Sequence, residues 1–216
     1  MSLLLYVHPF SSYCWKVLIP LYADGTPFEY RNIEDGDNMA QLAERWPLKQ
    51  FPLLVDEGET VAETSCIIEH LQARHPGPNR WIPDGESGRR TRFLDRFFDF
   101  YVMNTATVAV SNAIRPAESK DSHGVDHAMA KLAIAYDWLE ANLGNGPWAI
   151  GEPFTLADCA AAPALFYADW VQEIGPDRPR LQAYRARLLA HPAVSRCVEE
   201  ARPYRGYFPL GAPDRD

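Results

Sequence analysis

The segment "HPGPNRWIPDGES", residues 75–87, divides the chain into two stretches of different periodicity. Its three prolines and two glycines interrupt any regular element, as a linker does. Ahead of it, short apolar runs alternate with helical spacing; behind it, the spacing is helical to the end. The resulting division is an α/β unit over 1–76, a linker over 77–87 and an all-α unit over 88–216.

In the first unit, "LLLYVH" (3–8) reads as a buried strand. Cys14, Val17, Leu18 and Leu21 then recur as on one helix face, and the helix starting at Ser12 ends near "ADGT". Pro20 removes one backbone bond inside it and predicts a kink. "PFEYRNI" (27–33) alternates as a strand, and a short helix covers 37–45. "FPLLVDEGETVAE" (51–63) reads as two strands turning at Glu57–Gly58, and a helix follows through Ile67, Ile68 and Leu71. The order is β-α-β-α-β-β-α, a mixed sheet covered by helices.

In the second unit, residues 88–113 place Phe93, Phe97 and Phe100 on one side and Leu94, Phe98 and Tyr101 on the next, predicting a helix buried on more than one face. Met129, Leu132, Tyr136, Leu139 and Leu143 suit packing in a bundle. In "PFTLADCAAAPALFYADW" (153–170), Thr155 and Asp158 form a capping box, with Phe154 and Cys159 as its apolar staple. This helix is apolar nearly all round and reads as the buried centre, bent at Pro163. Two shorter helices near 179–202 and an aromatic tail, "PYRGYFPL", follow.

Charge narrows the partners. A net charge of −8 over 216 residues argues against nucleic acid and anionic membrane, both of which need basic patches. No apolar run reaches the ~20 residues of a membrane span, and the N-terminus carries no signal-peptide pattern. Cys14, Cys66, Cys159 and Cys197 are scattered, without a C-x-x-C pair or a histidine at ligand spacing. No metal is expected, and the thiols read as reduced, in the cytoplasm.

Three polar segments interrupt this packing pattern. Ser11 and Ser12 sit where the first strand gives way to the first helix, a place where free N–H groups and the helix dipole favour an anion such as a thiolate. The plainer role is an N-cap, with Ser12 in it. In "KQFPLL" (49–54), a cis Phe51–Pro52 bond would turn the backbone of Phe51 outward for an extended peptide. Glu63, Thr64 and Ser65 open another helix, either as caps or as a carboxylate site in which Glu63 accepts from an ammonium. Together the three segments suit an extended, zwitterionic thiol peptide.

With S-x-x-C at Ser11–Cys14, K-Q-F-P at 49–52, E-T-S-x-I-I-x-x-L at 63–71 and T-L-A-D at 155–158, in this order and spacing, the chain resembles the cytosolic glutathione transferase superfamily. The resemblance implies a thioredoxin-like N-terminal domain, an all-helical C-terminal domain, a homodimer and glutathione as co-substrate. It places glutathione against Ser11, Lys49, Gln50, Phe51, Pro52, Glu63 and Thr64, with the cysteinyl part on the Phe51 backbone and the γ-glutamyl end near Gln50, Glu63 and Thr64. In serine-type classes the serine at the position of Ser11 stabilises the glutathione thiolate; Ser12 and Tyr6 are the alternative donors. "SSYCWKV" looks most like the zeta class, which includes maleylacetoacetate isomerases, although Tyr13, Cys14, Trp46 and Thr64 depart from that pattern.

A free thiol is only a few per cent ionised at pH 7. Lowering its pKa by about two units takes roughly 2.7 kcal/mol. A hydroxyl bond to charged sulfur (about 1.5–3 kcal/mol) plus the helix terminus (about 0.3–1 kcal/mol) is enough. The expected reaction is thiolate attack on a small apolar electrophile between the domains. Phe10, Tyr13, Tyr101, Asn104 and Val108 would line that pocket, and Tyr204, Tyr207 and Phe208 would close it. The alternatives are glutathione-dependent isomerisation of a dienoic acid, disulfide chemistry at Cys14, and a non-catalytic glutathione-binding module.

Overall fold

The computed structural model describes residues 3–216. Its N-terminal part is a four-stranded mixed sheet in the order β2-β1-β3-β4. β1 (Leu3–Val7) runs parallel to β2 (Phe28–Asn32), with Leu5 opposite Tyr30. It pairs antiparallel with β3 (Leu53–Asp56), and β3 pairs antiparallel with β4 (Glu59–Val61). Strand alternation sorts β1 between two cores. Leu3, Leu5 and Val7 face helices α1 (Ser12–Asp24) and α3 (Thr64–Arg74), whereas Tyr6 joins Leu53, Val55 and Leu42 of α2 (Asn38–Arg45) on the other side. Gly25 closes α1 in the left-handed conformation (φ +64°), and its N–H returns to the carbonyls of Leu21 and Tyr22.

The C-terminal part is all helical. α4 (Gly85–Phe97) passes through a π-helical turn (Phe98–Met103) into α5 (Asn104–Ala113), and α6 (Ser122–Asn142) follows. α7 (Leu156–Val171) is buried at every residue but its last. α8 (Pro179–Ala190), α9 (Pro192–Ala201) and a 3₁₀ segment (Arg202–Tyr207) complete the chain. Asp158 accepts from the N–H and hydroxyl of Thr155, and also from the Ala149 N–H and the Tyr184 hydroxyl. It therefore fixes a loop and a second helix as well as the start of α7. Among the described residues, no helix is long and apolar enough to cross a membrane.

Two expectations change. α4 begins at Gly85, three residues before 88, and the segment ahead of it is tightly packed. Trp81 and Ile82 are buried; the Trp81 indole donates to Asp24, its carbonyl accepts from Leu156 N–H, and the Ile82 N–H donates to Gln72. Second, the 88–113 stretch is not buried on both predicted sides: Phe100 and Tyr101 are each 58% exposed, and Phe93 is exposed as well. For Phe100 and Tyr101 the π turn is the cause. It takes an extra residue into the turn and rotates everything after it.

Candidate functional site

The loop from β1 to α1 carries the first functional side chain. Ser11 has extended dihedrals (φ −87°, ψ 123°) and is the N-cap, its Oγ accepting from the Cys14 N–H at 3.3 Å. Ser12 is the first helical residue, so the cap falls one position earlier than expected. A serine that accepts through its oxygen still has its proton to donate. The loop is held in place by Ser11 N–H donating to the His8 carbonyl (3.0 Å) and by the Tyr167 hydroxyl donating to the Phe10 carbonyl (2.9 Å).

Ser11 and Phe51 lie on a seam between two cavities. The larger, of about 690 Å³, gathers Lys49, Gln50, Pro52, Glu63 and Thr64 around them, with Tyr13, Trp46 and Asn104. The Phe51–Pro52 bond is cis. Among the described residues, neither the N–H nor the C=O of Phe51 has a hydrogen-bond partner. Glu63 is the N-cap of α3, at φ +68° and ψ +123°, a strained backbone for a residue with a side chain. No side chain caps this helix, so neither Thr64 nor Ser65 acts as its cap. The N–H groups of its first turn remain available to a carboxylate.

Ser65 is occupied otherwise. Its hydroxyl donates to Asp95 (2.7 Å) and accepts from Lys16 Nζ (3.2 Å), and Lys16 pairs with Asp95 and Asp99 at 2.6 Å each. Lys16 and Asp95 are fully buried, and both carboxylates reach the wall of the larger cavity. Burial first, then the nearby Asp95 and Glu63, hold the Asp99 carboxyl above the ordinary carboxylate range, with Lys16 opposing them. One buried cation thus faces two carboxylates at the wall of the larger cavity.

The smaller cavity, of about 360 Å³, is apolar. Phe10, Tyr167, Phe208 and the α4–α5 residues Met103, Ala106 and Val110 form its walls, with His8, Ser12 and Thr107 as polar points. Of the residues expected around the electrophile, Phe10 lines it, while Tyr13 and Asn104 instead bond to each other (2.8 Å) beside the larger cavity. Tyr101 and Val108 do not line it and are turned to the surface, for the reason given by the π turn. Tyr207 and Phe208 close one side, and Tyr204 packs edge-on against His8.

Of the alternative donors, Ser12 lines the smaller cavity, whereas Tyr6 does not reach it. Tyr6 is buried on the opposite face of the sheet and donates to Gln41 at 3.1 Å. Cys14 is wholly buried, and burial pushes its thiol up to about 12, outweighing the opposing influence of neighbouring Ser11 and of the His8 N–H. It is not a thiolate at neutral pH, which removes the basis for disulfide chemistry there. The Tyr13 phenol is likewise pushed up to about 12, by burial and then by Asp99 and Glu63, and remains a neutral donor.

Sequence reasoning missed Lys16, Asp95, Asp99 and the pocket positions Met103, Ala106, Thr107 and Val110. A lysine among Cys14, Trp15, Val17 and Leu18, and two acids four residues apart flanking the buried Phe97 and Phe98, are the signals that pointed to the first three.

Comparison with known proteins places both parts of the chain. Residues 5–79 match the family described as "Glutathione S-transferase, N-terminal domain", and residues 102–192 match "Glutathione S-transferase, C-terminal domain". Glutathione S-transferase GstB of Escherichia coli is 27% identical over 158 residues, 68% of this chain and 72% of that protein. Maleylacetoacetate isomerase of Pseudomonas aeruginosa is 27% identical over 208 residues, 92% of this chain and 97% of that one. A crystal structure of a glutathione transferase family member from Pseudomonas fluorescens, with bound glutathione, superposes with a TM-score of 0.76 at 27% identity, covering 91% of this chain and 98% of that one.

Proposed function

Since this chain belongs to the cytosolic glutathione transferase superfamily, we propose that it activates the thiol of glutathione and directs the thiolate at small apolar electrophiles. The observation that carries this reading is the place of the Ser11 hydroxyl, at the N-terminus of α1 and on the seam between a polar cavity and an apolar one. Glutathione lies along the larger cavity: its cysteinyl backbone pairs with Phe51, its γ-glutamyl carboxylate meets the open N-terminus of α3 at Thr64, and Glu63 accepts from its ammonium. Lys49 and Gln50 border the same cavity, and Pro52 shapes its wall. The thiol gives its proton to water and Ser11 donates to the resulting thiolate. Sulfur then forms a bond to the electrophilic carbon held over Phe10, Met103 and Val110. The leaving group departs with the electron pair of its broken bond or, in an addition, the π pair moves to the neighbouring atom and is protonated by solvent.

Isomerisation of a dienoic acid is the second reading, favoured by the relative of that name in Pseudomonas aeruginosa. The apolar cavity counts against it, because among its lining residues there is no lysine or arginine to receive an acidic substrate. We also read the protein as a cytoplasmic homodimer, with the exposed Phe100, which lines the larger cavity, and the exposed Tyr101 as part of the subunit contact. Light scattering on the purified chain checks this.

The deciding experiment follows the ultraviolet absorbance of bound glutathione thiolate against pH in wild type and Ser11→Ala. A bound thiol that titrates well below its free value, and rises by a unit or more in Ser11→Ala, supports activation by Ser11. An unshifted thiol in the wild type, with glutathione bound and no turnover, makes the chain a binding module.

A further inference from the structure

We propose that Asp56, His70 and His75 form a binding site for a divalent transition-metal ion of the zinc type, outside both cavities. Asp56 ends β3, His70 lies on α3 and His75 follows its last turn. The two Nε2 atoms approach the same carboxylate oxygen, His70 at 2.8 Å and His75 at 2.7 Å. The rings lie 6.3 Å apart and are inclined at 42°, so they reach that oxygen from different directions. All three donor atoms fall within 4.8 Å of one another.

These dimensions are close to those of a metal triad. With metal–ligand bonds near 2.1 Å, tetrahedral donors stand about 3.4 Å apart, so an outward shift of roughly 0.6 Å by each imidazole makes room for an ion. His75 has freedom for that shift, since its side chain is 31% exposed at the helix end, and the same opening admits the ion and a completing water. Two imidazoles and one carboxylate suit zinc, cobalt, nickel or copper, whereas magnesium and calcium prefer all-oxygen sets. Without an ion, each Nε2 donates its N–H to the Asp56 carboxylate. On binding, that proton moves to Nδ1 or to solvent and the Nε2 lone pair goes to the metal. The cysteine spacing carries no trace of such a site, because its ligands come from a strand end and a helix end that meet only in the folded chain. None of the three residues borders the glutathione cavity, so the reaction does not pass through the ion.

The test uses the full chain, treated with chelator and kept free of glutathione, titrated with Zn²⁺ against a chromophoric chelator and with Co²⁺ by visible absorption. The expected result is one ion per chain in wild type, d–d bands of a low-coordinate cobalt site, and binding at least about tenfold weaker in His75→Gln. Asp56→Asn, checked for folding by circular dichroism, shows the same loss, and Cys66→Ser, which removes the exposed thiol, binds as wild type does. Zn²⁺ raises the unfolding temperature of wild type and Cys66→Ser but not of His75→Gln. If wild type binds no more Zn²⁺ than His75→Gln, or if binding survives in His75→Gln and is lost in Cys66→Ser, the cluster is only a hydrogen-bonded lock between β3 and α3.

Discussion

At the scale of single residues, function rests on groups held in unusual surroundings. Ser11 caps α1, and under the proposed function its proton goes to the glutathione sulfur, so Ser11→Ala removes the cap and, on that reading, the donor. The cap itself is worth about 1 kcal/mol, and the lost thiolate bond lowers kcat/KM by about ten- to hundredfold. Steady-state kinetics and thermal unfolding on one variant separate these effects. Glu63 makes the opposite trade: its strained backbone costs about 1–3 kcal/mol, kept for the position of its carboxylate. Glu63→Gly is expected to raise the unfolding temperature while raising KM for glutathione. A variant that is both less stable and fully active contradicts this role. Thiol chemistry gives a third check. Cys14, Cys159 and Cys197 are buried and their thiols raised by burial, so a thiol reagent should titrate Cys66 alone in the native protein and all four cysteines after denaturation.

At the scale of elements, the π turn at Phe98–Met103 decides which side of α5 faces the apolar cavity. Met103, Ala106, Thr107 and Val110 recur at i, i+3, i+4 and i+7, an ordinary helical face displaced from the Tyr101–Asn104–Val108 face predicted for an unbroken helix. Thr107→Trp should fill the apolar cavity and lower kcat/KM for bulky electrophiles about tenfold. Val108→Trp, on the outward side, should leave it within about twofold. Equal losses in the two variants would return Val108 to the pocket. The strands and most helices were readable because each periodicity was sustained over several residues. The start of α4 was not, since Gly85 and Ser87 look like linker residues until Trp81 and Ile82, just ahead of them, are seen to be buried.

At the scale of the whole molecule, the buried Lys16–Asp95–Asp99–Ser65 network joins α1 and α3 to the α4–π segment and so fastens the two parts of the chain together. Lys16→Met leaves two carboxylates without their cation and should cost about 3–5 kcal/mol in urea unfolding. Asp99 gives the network a pH dependence. Burial raises its folded pKa above the unfolded one, so the folded state holds its proton more tightly. Stability therefore falls as pH rises from the ordinary carboxylate value, about 4, through the raised folded value. Asp99→Asn abolishes that part of the slope, and an unchanged slope in urea unfolding between pH 4 and 7 would refute the assignment.

Periodicity and breakers by themselves determined the element order and the two-part architecture, because these depend on patterns within a few residues along the chain, and the resemblance carried by four short motifs pointed to the family and to Ser11, Phe51 and Glu63 as one site. Only the tertiary structure decided that Ser11 rather than Ser12 is the cap, that Tyr6 faces away and that Cys14 is inert. It alone brought Lys16 under two carboxylates and turned Met103 rather than Tyr101 toward the pocket. Each of these depends on burial or on rotation about an element's axis. Both are set by what packs against a residue from far along the chain, as Tyr167 does when it anchors the carbonyl of Phe10, 157 positions away.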